Sequence, residues 1–214
     1  MNLQPLFPGL PIAPPTTAAV SITFNSLSAA IVNVGTTALG QQFIEFQVPC
    51  QLNPATSVPV VVDINGATTN VTLNVQAASP GVFHTVMSDG VARALLVRPD
   101  GSIVSLTNPA RRGETEVAYV TGLGATSTPA NNSSLPVPGG TPSTVLGTVI
   151  PGMNGGGAPL VYAQLSEDIP GVYVVAFQVP ANMQQGNNIP FSIGIIPAGG
   201  SNAFYSAPTT MPVQ

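Results

Sequence analysis

The chain is poor in charge, above all in positive charge. It has four arginines and no lysine among 214 residues, and charged residues make up 6% of the total, where about 25% is usual. The net charge is −4. A nucleic-acid partner requires a basic surface that meets the phosphate backbone, so we predict that nucleic acid is not a partner.

Cysteine, histidine and tryptophan are also scarce. The single cysteine, Cys50, cannot form an internal disulfide. With one histidine, the chain lacks the Cys and His clusters of structural metal sites. His84 has no Gly-x-Ser-x-Gly elbow to serve as a partner in a hydrolase triad. We therefore predict no catalytic residues, no metal and no cofactor, and a protein that is not an enzyme.

No run of about 18 apolar residues is present, so no membrane span is predicted. Residues 1–17 lack the basic region of a secretory signal peptide, so export would follow signal removal, a place within a longer chain or another route. This segment is apolar and punctuated by proline, which favours extended conformations. It is either a floppy leader or an extended arm that contacts another subunit through Leu3, Leu6, Phe7, Leu10 and Ile12.

Proline and glycine, by contrast, are abundant, at 23 and 22 residues, and 44% of the chain is hydrophobic. This combination is typical of many short strands joined by turns. The cleanest alternation of apolar and polar residues runs over 58–64 and ends at Asn65-Gly66, a strong signal for a hairpin turn. No segment has the periodicity of an amphipathic helix, so an all-β fold is predicted.

One short motif occurs twice, as Phe46-Gln47-Val48-Pro49 and Phe177-Gln178-Val179-Pro180. At the same offset, Val58-Pro59 corresponds to Ile189-Pro190. The repeat predicts two immunoglobulin-like β-sandwich modules related by an internal duplication, preceded by an extended N-terminal arm. The predicted bounds are 1–17 for the arm, 18–77 for the first module and 78–214 for the larger second module.

Two groups of polar residues are candidate sites. The densest group of charges is predicted to be a structural network that ties loops together, formed by Arg111, Arg112, Glu114 and Glu116. As a glycosidase pair, these acids or Glu167-Asp168 would have to face each other across a cleft, which their spacing does not provide. Candidate glycosylation positions, which fit Asn-x-Ser/Thr, are Asn70, Asn131 and Asn132.

Four linked motifs carry a resemblance to a known family. They are Ala78-Ser79-Pro80-Gly81-Val82-Phe83, Arg98-Pro99-Asp100-Gly101-Ser102, Asn108-Pro109-Ala110-Arg111-Arg112-Gly113 and Tyr119-Val120-Thr121-Gly122-Leu123-Gly124. Over roughly residues 10–214, the chain resembles the uncharacterised C-terminal domain family of Solibacter-type acidobacterial exported proteins. The resemblance implies an immunoglobulin-like fold, an exported or surface protein, and no assigned activity.

Together these features predict a non-enzymatic extracellular or cell-surface structural module that associates with copies of itself. The arm would add as a strand to an open sheet edge of the next subunit, which can continue into a filament. The alternative is a carbohydrate-binding or adhesive module with a surface polysaccharide as its partner. Its sign would be an exposed row of tyrosines, since sugars stack on aromatic rings.

Overall fold

The computed structural model describes residues 20–36, 39–49, 51–52, 55–127 and 141–214. These residues form an all-β fold of β-sandwich type in which every strand ladder is antiparallel, and they contain no helix. The predicted arm at 1–17 and Cys50 lie outside the described residues. Among the described residues, two compact units are present. Unit 1 contains the chain up to Ala77 together with 166–171, and unit 2 contains the rest.

Unit 1 has six strands in two sheets. One sheet has the order β2-β1-β5-β6, and the other consists of β3 and β4. The two-residue turn between β5 and β6 is Asn65-Gly66, whose φ angles of 55° and 84° suit a tight hairpin. The strands are β1 (Val20–Phe24), β2 (Leu27–Ser28), β3 (Ala30–Thr36), β4 (Gln42–Gln47), β5 (Ala55–Ile64) and β6 (Ala67–Val75).

Unit 2 has twelve strands. Its two five-stranded sheets are ordered β10-β11-β15-β14, with β7 beside β11, and β13-β12-β16-β17, with β18 beside β16; β8 and β9 form a separate hairpin. The strands are β7 (Gly81–Val82), β8 (His84–Val86), β9 (Ala92–Ala94), β10 (Leu96–Val97), β11 (Thr115–Thr121), β12 (Gly147–Met153), β13 (Gly156–Gly157), β14 (Leu160–Leu165), β15 (Val172–Gln178), β16 (Gly186–Pro197), β17 (Phe204–Tyr205) and β18 (Thr209–Val213).

Each copy of the repeated motif ends a strand, and its Phe packs against a ring from the other sheet of the same unit. In unit 1 the rings of Phe46 and Phe24 have centroids 5.7 Å apart. In unit 2 Phe177 stacks on Phe191 at 5.0 Å. The core of unit 2 is much the larger of the two, since β7 to β11 add buried residues that unit 1 does not match among its described strands.

The pairing of β3 with β4 recurs in the pairing of β14 with β15. In each ladder the motif Phe pairs with the residue just before a bulge: Ile31 with Phe46, and Leu160 with Phe177. The residue after the bulge then pairs with the position preceding the Phe in both units. A bulge is a specific local feature, so its recurrence at the same place means that the two ladders share one register.

The second sheet of each unit also follows one scheme. The ladder of β5 with β6 shifts register between Ala55 and Val58, and that of β16 with β18 shifts between Gly186 and Ile189. On their other edges β5 and β16 pair with β1 and β12, which each turn back into a two-residue strand, β2 or β13. The immunoglobulin-like class and the common origin of the units stay predictions.

Two strand predictions in unit 2 need correction. The strand expected over 91–98 is divided into β9 and β10 at Leu95, whose N–H donates to Phe83 O. The strand expected over 102–106 is reduced to a single bridge between Ile103 and Val97. The reason is a short-range loop, in which Ser105 and Asn108 satisfy each other's backbone groups.

Candidate functional site

The outer part of the β5–β6 sheet leaves apolar side chains uncovered in unit 1. Val71 and Leu73 of β6 are 42% and 43% exposed. They pair with Val60 and Val58, which belong to the core, and residues directly opposite each other share a face of the sheet. Val71 and Leu73 therefore face the core side, yet they lack the cover that a core position normally has.

Unit 2 covers the corresponding positions. The register places Met211 of β18 where unit 1 has Leu73, and Thr209 where it has Val71. Met211 is 0% exposed and Thr209 is buried. The contrast lies in what surrounds the two sheets, because the strand pairing is the same.

The neighbouring edge of β4 shows the same contrast. Within the described residues, β4 pairs with β3 alone, whereas β15 pairs with β14 on one edge and with β11 on the other. Ile44 and Phe46 of β4 are only partly buried, whereas Val175 and Phe177 of β15 are fully buried. We call the β4 edge together with Val71 and Leu73 the open side of unit 1.

An open strand edge beside an exposed apolar face has a defined chemistry. The edge offers backbone N–H and C=O groups in strand spacing, and the face offers apolar area to alternate side chains of an added strand. Covering it would remove apolar surface from water at about 25 cal/mol per Å². The open side is thus suited to bind an extended segment of protein.

The predicted charge cluster centres on an arginine that the sequence argument left out. The guanidinium of Arg98 lies 3.3 Å from Glu114 Oε2 and 3.6 Å from Glu116 Oε1, both measured from Nε. Its Nη2 donates to Pro109 O at 2.7 Å. Arg98 therefore joins the loop that follows β10 to the loop that precedes β11.

The outer residues of the cluster are more exposed. Arg111 donates through its backbone N–H and its Nη1 to the two carboxylate oxygens of Glu114, at 3.3 and 3.4 Å, and its side chain is 61% exposed. Such an exposed pair contributes little to stability. Arg112 is exposed as well.

Glu116 is the exceptional member of the cluster, because its side chain is 0% exposed. Within the described part of the chain, neither of its carboxylate oxygens has a hydrogen-bond partner. Burial raises the pKa of Glu116 to about 7, and Arg98 offsets part of that effect. A buried acid enclosed by β-sheet has no space beside it for a substrate, so we assign it no chemistry.

A second buried arginine was missed by the sequence analysis. Arg93 of β9 is 1% exposed and donates to both carboxylate oxygens of Asp89, at 2.8 and 2.7 Å. Its Nε donates to Asn187 O and to Asn188 Oδ1. The contact holds the pKa of Asp89 at about 2. The available signal was the Asp89-Gly90 turn followed by an arginine four positions after the acid.

The other predicted positions fall in separate places. Asn70 lies in β6 and is exposed, while Asn131 and Asn132 lie outside the described residues, as do Leu3, Leu6, Phe7, Leu10 and Ile12. His84 is exposed in β8. The described structure therefore brings together only the charge cluster.

The aromatic residues do not form a row. Tyr119 is buried, and the exposed Tyr162 and Tyr205 lie in different sheets of unit 2. A carbohydrate-binding function stays a prediction, which a glycan array tests directly. In the described residues no three His, Cys, Asp or Glu side chains are grouped as a metal would require, and no helix has the length and apolarity to span a membrane.

Comparison with known proteins adds no relative. No family model matches the chain. No curated protein matches it either. The function is therefore argued from the geometry of the open side and from the sequence.

Proposed function

We propose that this protein is a non-enzymatic structural module that assembles with copies of itself, outside the cell or on its surface. The observation that carries the proposal is the open side of unit 1, where an unmatched strand edge borders Val71 and Leu73. Main-chain hydrogen bonds to the edge provide affinity, and alternate side chains over the apolar face provide register.

The strand donor in this proposal is the arm, residues 1–17 of a neighbouring subunit. Its apolar side chains would be costly to leave in water as one patch. Donor and acceptor are different surfaces of the same chain, so the contact is heterologous and can repeat along a filament. The location outside the cell rests on the low charge of the chain and on its family resemblance.

Deletion of residues 1–15 tests the proposal. We expect the shortened chain to stay folded and to elute as a monomer in size-exclusion chromatography with light scattering, while the full chain forms larger species. A matched control keeps the length of the arm and replaces Leu6, Leu10 and Ile12 with serine. If the deletion changes neither the oligomer size nor the filaments seen by negative-stain microscopy, the arm is not the donor.

A further inference from the structure

We propose that the arm of a second copy occupies, in unit 1, the place that β11 occupies in unit 2. The inference rests on the proposed function and specifies its acceptor. It also specifies the direction of the added strand and which of its side chains point inward. The argument comes from comparing the two units, each taken by itself.

The place to be filled is defined by β11. In unit 2, β11 runs antiparallel to β15 with Ala118 opposite Val175, and β15 ends in Phe177. Ile44 and Phe46 occupy the positions of Val175 and Phe177 in unit 1. The described strands of unit 1 include no counterpart of β11, so the described part of that unit leaves the place beside β4 unfilled.

The backbone of β11 shows which residues of an added strand would bind the edge. Phe83 N donates to Tyr119 O at 2.9 Å, so the odd-numbered backbone groups of β11 point to β7 and away from β15. The even-numbered groups point to β15, and the side chains of Ala118 and Val120 lie in the core. In this place, the residues that face the core are also those that bind the edge.

The arm fits this rule in one register class. Leu6, Leu10 and Ile12 are all even-numbered, so they can face the core together while their N–H groups bind β4. The prolines at 5 and 11 are odd-numbered and would point to solvent, where an edge strand tolerates the missing donor. Only the proline at 8 removes a hydrogen bond from the ladder.

Chain order and exposure indicate a second copy. The arm precedes β1 as β11 precedes β12, which makes it the segment in the corresponding position along the chain. In the single chain, however, Val71 and Leu73 remain 42% and 43% exposed. The cover that unit 2 has over these positions must therefore come from another molecule.

The test uses the full chain and two lysine variants of β6. Leu73→Lys places a charge on the apolar face, and Thr72→Lys places the same charge on the opposite face of the same exposed strand. Lysine is a natural device for blocking strand addition. By light scattering, we expect Thr72→Lys to assemble as the unmodified chain does and Leu73→Lys to remain monomeric, with unchanged circular dichroism.

A peptide covering residues 1–17 provides a second measurement that needs no variant. In excess it should dissociate oligomers of the unmodified chain, and a peptide with serine at 6, 10 and 12 should not. If the chain assembles but Leu73→Lys and the peptide have no effect, the acceptor lies elsewhere and the proposed function survives. If the unmodified chain is a monomer at every concentration, both ideas are wrong.

Discussion

Oε1 of Glu116 lies 3.6 Å from Nε of Arg98, and both side chains are buried in unit 2. The distance exceeds that of a hydrogen bond, so the pair attracts through charge alone. Because Glu116 lacks hydrogen bonds within the described residues, burial outweighs that attraction and raises its pKa to about 7. A buried acid in this situation prefers its neutral form near neutral pH.

The raised pKa of Glu116 makes stability depend on pH. Its ordinary pKa is 4.5, so between about pH 4.5 and 7 the folded chain binds more protons than the unfolded chain, and stability from this group is lost as pH rises. We expect Glu116→Gln to be neutral near pH 4 and to raise the free energy of unfolding at pH 8 by about 3 kcal/mol at most. Urea unfolding at both pH values measures this difference.

The matched control for that experiment is Glu114→Gln, since Glu114 binds the same arginine but is partly exposed. It should lack the pH-dependent gain. If Glu116→Gln lowers stability at pH 8, the ionised carboxylate and Arg98 form a stabilising buried pair, and our account of the pKa is wrong.

Arg93 is expected to be the most sensitive charged position. Arg93→Ala removes a buried guanidinium and four hydrogen bonds to three residues, so we expect a loss of about 3 kcal/mol in the free energy of unfolding. Asp89→Asn should cost less, because Asp89 is partly exposed and water can replace its carboxylate. Thermal unfolding of the two variants at neutral pH compares them, and equal losses would contradict this ranking.

Gly122 is expected to tolerate no side chain. Its φ is 72°, and a Cβ would lie 1.9 Å from Ser79 O, whose residue also donates its N–H to Gly122 O. Gly101 has a similar φ of 87° but open space around it. We expect Gly101→Ala to cost about 1–2 kcal/mol through backbone strain. Gly122→Ala should cost clearly more, and similar urea midpoints for the two variants would contradict the clash.

Local patterns in the sequence predicted the all-β class. The alternation over β5, the Asn65-Gly66 turn and the frequent prolines each act over a few residues, and the structure confirms the strands and the turn. The repeated Phe-Gln-Val-Pro motif indicated where strands end, and both copies end one.

The charge cluster was only partly predictable. Glu114 and Glu116 were identified, but Arg98 was read as part of a turn, and Arg112 was expected in its place. Sequence distance was the obstacle, since Arg98 is 16 positions from Glu114 and the loops between them decide which guanidinium reaches the acids. Arg93 was missed for the same reason, because its contacts to 187 and 188 span more than 90 positions.

What the amino-acid order determined by itself is the strand content and the turns, because these depend on neighbouring residues. Only the tertiary structure decided that two units with the same strand register differ in cover, so that Met211 is buried and Leu73 is not. The physical reason is that burial depends on which distant strand lies across a face. An alternating pattern reads the same whether that strand is present or missing.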